Sequence, residues 1–128
     1  MYTIQVNAGF SAAHHLVAYK GKCENQHGHN WRVQASVQGK ELNSEGMLID
    51  FGELKTLLRA ICAELDHTDI NTHPHFSKHN PTAENIAYWI YTRLAETLKA
   101  ENFQGTVQRV TVEETEGSVA SYSENTSA

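Results

Sequence analysis

Tyr2-Thr3-Ile4-Gln5-Val6-Asn7-Ala8-Gly9-Phe10 carries an apolar or aromatic side chain at every even position. Successive side chains of a strand point to opposite faces, so Tyr2, Ile4, Val6, Ala8 and Phe10 form one buried face. If no bulge intervenes, the same period carries Ala12 and His14 onto that face and turns His15 away from it. Trp31, Val33, Ala35 and Val37 repeat the pattern, and backward extension adds His29 and His27. Two neighbouring strands therefore deliver histidines to one side of a sheet.

Gly39 and the polar run 40–46 read as a turn. Asp50 and Glu53 form a capping pair ahead of Leu54, Leu57, Leu58, Ile61 and Leu65, whose spacing predicts a helix ending near Asp66. Residues 66–80 are a polar loop with four histidines and Pro74. Pro81-Thr82 opens a second helix with an apolar stripe of Ile86, Trp89, Ile90, Leu94 and Leu98. Gly105 precedes a strand over Val107–Thr115, a short strand follows near Val119–Ser123, and the last residues read as frayed. The order ββααββ predicts an α+β fold: a four-stranded antiparallel sheet with two helices on one face. Its open edges invite pairing with other copies, so a homo-oligomer is expected.

At 128 residues the whole chain, 1–128, is expected to be one domain. With 40% hydrophobic residues it has a small but sufficient core. A formal charge of −5 without a basic tract argues against a nucleic-acid partner. The only basic cluster, Lys20 and Lys22, reads first as solvated loop and second as a contact for an anionic substrate. Two cysteines do not make a disulfide framework, and Cys62 falls in the apolar helical pattern as core filler. Neither a secretion signal nor a stretch of membrane-spanning length is evident, so a cytoplasmic protein with no membrane partner is expected.

The stretch Cys23-Glu24-Asn25-Gln26-His27-Gly28-His29 holds the chemistry. His14, His27 and His29 are candidate ligands for zinc, because three protein ligands leave a fourth position open, as in catalytic zinc sites. Cys23 could close that site as a fourth ligand, or act as a base or nucleophile whose thiolate a nearby cation favours. Asp66 beside His67 suits a relay in which a carboxylate orients an imidazole. His73, His75 and His79 read as solvated loop residues. Among Glu113, Glu114 and Glu116, one pointing inward could accept two N–H bonds from a heterocycle's amidine-like edge. A non-enzymatic metal-binding or assembly domain could use the same three histidines.

Phe10-Ser11-Ala12-Ala13-His14, Cys23-x-x-x-His27-Gly28-His29, Ile49-Asp50-Phe51 with Leu54-Lys55, Leu65-Asp66-His67-x-x-Ile70-Asn71, Asn80-Pro81-Thr82-x-Glu84-Asn85 and Val112-Glu113-Glu114-Thr115 occur in an order that resembles the 6-pyruvoyl-tetrahydropterin synthase/6-carboxy-tetrahydropterin synthase family. The resemblance covers nearly the whole chain. It implies a tunnelling fold (T-fold) whose copies close their sheets into barrels, commonly a hexamer with active sites between subunits. It implies zinc on His14, His27 and His29, Cys23 as proton acceptor, Asp66 and His67 as relay partners, and Glu114 with Thr115 holding the pterin ring. The implied substrate is 7,8-dihydroneopterin triphosphate. The three-residue gap between Cys23 and His27 resembles the bacterial carboxy branch, which releases acetaldehyde and triphosphate and whose product feeds queuosine synthesis. The pyruvoyl branch, which keeps the side chain, is the alternative. Glu113 departs from the family, which often has a basic or neutral residue there.

Overall fold

The computed structural model describes residues 1–18 and 25–124. Strands β1 (Tyr2–His14) and β2 (His27–Gly39) form one antiparallel ladder, running without a slip from Tyr2 opposite Gly39 to His14 opposite His27. The period of two holds to the end of β1: Val6, Phe10, Ala12 and His14 are buried on one face. The ladder is tight at Gly9, where a Cβ would lie 2.8 Å from the Trp31 carbonyl oxygen. Glycine meets that close backbone approach without displacing either strand.

Helix α1 (Phe51–Ala63) starts at Asp50, whose carboxylate accepts the Glu53 N–H at 3.0 Å. It buries Leu54, Leu58, Ile61 and Cys62. The helix ends earlier than Asp66, the terminus that periodicity predicts. Leu65 is still fully buried, but its N–H and that of Asp66 both return to the Cys62 carbonyl, so the apolar pattern outruns the helix through a closing turn.

The polar loop predicted over 66–80 holds more structure than expected. Strand β3 (Thr68–Asp69) pairs parallel with Ala12 and Ala13 of β1, and a 3₁₀ turn over Ile70–Thr72 follows. Ile70 and Phe76 drop from this segment into the core. The sheet is therefore five-stranded and mixed, in the order β3-β1-β2-β4-β5, rather than four-stranded and antiparallel. A two-residue strand is too short to show a period, and only its tertiary partner creates it.

Helix α2 (Ala83–Ala100) is capped by Thr82, which accepts the Asn85 N–H, and buries Ile86, Trp89, Ile90, Leu94 and Leu98 as predicted, with Ala87 and Tyr91 added. The Tyr91 hydroxyl donates to the Val107 carbonyl at 3.0 Å, tying α2 to β4 (Thr106–Thr115). Strand β5 (Ser118–Tyr122) returns through a two-residue Glu116-Gly117 turn, and Gly117 takes the left-handed conformation (φ 84°) that such a hairpin needs. α1 packs on β1 and α2 on β4 and β5. Each fully buried Leu or Ile between helices and sheet contributes about 1.5–3 kcal/mol by leaving water. Among the described residues no helix is long and apolar enough to cross a membrane.

Candidate metal centre

The alternation that buries Phe10 and Trp31 also gathers the histidines. His14 faces His27 directly across the ladder, and His29 sits opposite Ala12. The His14 ring is 4.7 Å from His27 and 5.2 Å from His29, centroid to centroid, and His27 and His29 are 4.7 Å apart. One ligand atom from each of the three lies within 4.8 Å of the others. Trp31 closes the inner side, with its ring centroid 4.8 Å from that of His14 and 5.5 Å from that of His29.

The hydrogen bonds orient these rings. His14 Nδ1 lies 2.8 Å from the Pro81 carbonyl oxygen, which can only accept, so the proton is on Nδ1 and the lone pair of Nε2 faces the cluster. His27 Nδ1 is likewise 3.0 Å from the Asn25 carbonyl. Burial holds His14 below the ordinary histidine range, against the opposing pull of the Pro81 carbonyl and Glu114. The ring is thus kept neutral, the form that ligates a metal. His14 Nε2 and His29 Nε2 are both buried with no hydrogen-bond partner. Two unpartnered buried nitrogens beside each other are costly unless a bound group satisfies them, and an all-imidazole donor set suits zinc.

Glu114 lies against this cluster. Its carboxylate reaches His14 Nε2 at 3.3 Å and His29 Nε2 at 3.9 Å. Glu113 points to the other face, 3.8 Å from the exposed Arg32. Between Glu113 and Glu114, the inward residue is Glu114. Thr115 lies next to it, paired with Ser118 at the end of the hairpin.

Asp66 and His67 lie elsewhere in the chain, on the edge of β1. Asp66 Oδ1 accepts the Ser11 N–H at 2.9 Å, and the His67 N–H donates to the Ser11 carbonyl at 2.6 Å. Ser11 has the opposite parity to His14 in β1. The second Asp66 oxygen is 3.5 Å from His67 Nε2, so the two side chains lie together, and the His67 ring is 81% exposed. His67 holds a left-handed backbone (φ 56°), a strained conformation fixed by the two bonds to Ser11. Cys23, Lys20 and Lys22 lie outside the described residues.

The loop histidines differ from expectation. His73 is only 19% exposed, 3.6 Å from Glu64 and edge-on to Trp89, so it is packed rather than solvated. His75 stacks on His79 with ring centroids 4.5 Å apart, and burial lowers the His75 pKa.

Three residues shape the site in ways that the sequence did not indicate. Asn71 grips His15 through both backbone groups: its Oδ1 accepts the N–H at 2.9 Å and its Nδ2 donates to the carbonyl at 3.0 Å. Asn80 grips Val17 in the same way, at 2.7 and 3.0 Å. Pro81 supplies the carbonyl that sets His14. The chain leaving β1 is thus clamped at every second residue. The Asn-Pro-Thr run was the available signal, since an asparagine before a helix-opening proline often bonds to backbone.

Comparison with known proteins bears on the fold and the family. The sequence pattern of the family described as 6-pyruvoyl tetrahydropterin synthase matches residues 3–125. The 6-carboxy-5,6,7,8-tetrahydropterin synthase of Bacillus subtilis is 34% identical over 128 residues, covering 94% of this chain and 86% of its own. The human 6-pyruvoyl tetrahydrobiopterin synthase is 32% identical over 127 residues, covering 88% and 85%. The structure of Caenorhabditis elegans 6-pyruvoyl tetrahydropterin synthase superposes with a TM-score of 0.82 at 26% identity, covering 97% of this chain and 96% of that one. The fold is therefore the T-fold of those enzymes, and this chain belongs to the 6-pyruvoyl tetrahydropterin synthase family.

Proposed function

We propose that the chain is a zinc-dependent lyase that converts 7,8-dihydroneopterin triphosphate to 6-carboxy-5,6,7,8-tetrahydropterin, releasing acetaldehyde and triphosphate. The observation that carries this reading is the convergence of His14, His27 and His29, with two buried nitrogens lacking any hydrogen-bond partner. Those three residues would hold the ion. Bound there, zinc supplies Lewis acidity, which acidifies protons next to the oxygens it contacts.

The chain's own residues do the rest. Cys23 accepts a proton from the activated side chain of the substrate, and His67 returns or shuttles one. Asp66 steadies the imidazolium that His67 becomes. Glu114 accepts two N–H bonds from the amidine edge of the pterin, a charge-assisted match, and Thr115 adds a hydroxyl or backbone contact. Trp31 excludes water behind His14.

Asp66 and His67 would serve the site of a neighbouring copy. The exposed His67 ring supports this, as do the free edge of β5 and the side of β1 that β3 leaves uncovered beyond Ala12 and Ala13. A homo-oligomer of barrel-closing copies, a hexamer by family resemblance, follows from that arrangement. One domain spanning 1–128, a cytoplasmic setting and a place in queuosine synthesis complete the reading.

The alternative is elimination of triphosphate with the three-carbon side chain kept, supported by similarity to the human enzyme. Mass spectrometry after incubating zinc-loaded protein with 7,8-dihydroneopterin triphosphate separates the two. Acetaldehyde with a carboxypterin is expected. A pyruvoyl product selects the alternative, and unchanged substrate leaves only a metal-binding assembly role.

A further inference from the structure

Glu114 stands where the pterin anchor is expected, yet its carboxylate is turned onto the histidines. Its Oε1 lies 3.3 Å from His14 Nε2 and its Oε2 lies 3.9 Å from His29 Nε2, and neither approach makes a hydrogen bond. With the His14 proton committed to the Pro81 carbonyl, Nε2 offers only a lone pair, and an ionised carboxylate also only accepts. Acceptor faces acceptor, an arrangement that a cation between them turns from repulsive to favourable.

The spacing has a specific meaning. Ligands at about 2.0–2.1 Å from a tetrahedral zinc lie about 3.3–3.4 Å from one another. The Glu114–His14 separation of 3.3 Å matches one such edge, and the 3.9 Å to His29 through the other oxygen is longer, so Glu114 joins the three histidines by a small movement when the metal binds.

The backbone supplies an independent observation. β4 pairs with β5 as Glu113 opposite Val119, then Thr115 opposite Ser118, so Glu114 is the extra residue of a bulge. Alternation along β4 carries Glu114 onto the buried face of Val110 and Val112, at the end of the sheet where the histidines gather, and the bulge leaves it without a partner on β5. Glu114 also lies one residue past Glu113, which pairs with Arg32 of β2, so its side chain falls on the face of Trp31 and His29.

We propose that Glu114 is the fourth zinc ligand of the substrate-free protein and is exchanged for the substrate when it enters. A carboxylate cannot grip the metal and the amidine edge of a pterin at once. In the resting state it fills the position that a three-histidine site leaves open, and so keeps adventitious ligands out. A substrate oxygen then takes its place, and the released carboxylate becomes available to the ring. This rests on the zinc reading above and adds a closed resting state to it.

The test uses the full chain, stripped with a chelator and reloaded with cobalt(II) or zinc, without substrate. Wild type is expected to give the intense visible absorption of a four-coordinate cobalt site. Glu114→Gln is expected to shift and weaken that band and to bind zinc about tenfold or more weakly in competition with a chromophoric chelator. Glu114→Asp, one methylene short, should behave alike, so that a folding defect in one variant does not decide the matter; circular dichroism checks both. Glu113→Gln should match wild type. An identical band and affinity in wild type and both Glu114 variants would overturn the assignment while leaving a three-histidine site intact. If wild type itself retains no metal, the zinc reading fails and this one with it.

Discussion

Replacing Asn71 by alanine tests whether the clamp behind His14 holds the site together. The wild-type side chain makes two bonds to one residue, accepting the His15 N–H at 2.9 Å and donating to the His15 carbonyl at 3.0 Å. Both are partly buried, so water replaces them incompletely. At about 0.5–1.5 kcal/mol for each bond, the loss is about 1–3 kcal/mol. For a chain of this length about 1 kcal/mol corresponds to roughly 3–5 °C of melting temperature. Asn71→Asp keeps the acceptor and loses the donor, so roughly half the effect is expected. Urea unfolding, read at one fixed protein concentration because assembly couples to stability, measures both variants. His15 follows His14 directly, so Asn71→Ala should also weaken zinc binding. Stability of Asn71→Ala within about 0.5 kcal/mol of wild type, the ordinary range for surface changes, would refute the clamp.

Further outcomes follow from single contacts. Gly9→Ala places a methyl 2.8 Å from the Trp31 carbonyl, and because backbone must give way, a loss of about 1–3 kcal/mol is expected in the same unfolding assay. Burial pushes the Cys62 thiol up to about 12, so it should resist a thiol reagent in the folded protein and react once urea unfolds the chain; equal rates in both states would contradict its burial. Arg93 donates to both oxygens of Glu64 and holds that carboxyl below the ordinary range, with His73 adding to it. A depressed folded pKa adds stability above the unfolded value and loses it as pH falls through the folded one. Glu64→Gln should therefore lower stability at neutral pH but leave it nearly unchanged at strongly acidic pH. A constant difference at every pH would refute the ion pair.

The parts of the fold with a period were legible in advance. Alternation from Tyr2 to Phe10 and from Trp31 to Val37 was enough to put His14, His27 and His29 on one face, because the ladder carries no bulge between those positions. The two helices followed from their caps and apolar stripes. β3 was illegible, since a two-residue strand is defined by its partner rather than by its own sequence. Leu65 misled the helix end because burial continues past the last helical hydrogen bond. His73 looked solvated in a polar loop, yet Trp89 and Glu64, distant in sequence, pack against it. The asparagine clamps were equally hidden, as each joins residues more than fifty positions apart. The inward aim of Glu114 rather than Glu113 was legible from alternation with Val110 and Val112, whereas the bulge at Glu114 against β5 was not.

Metal analysis of exhaustively dialysed, zinc-loaded protein tests the central claim most directly. Wild type and Cys23→Ala should each retain one zinc per chain, whereas His14→Ala, His27→Ala and His29→Ala should each retain none while keeping the secondary structure of the wild type. Full zinc in any of the three histidine variants, or loss of zinc with Cys23, would contradict a site built from those imidazoles.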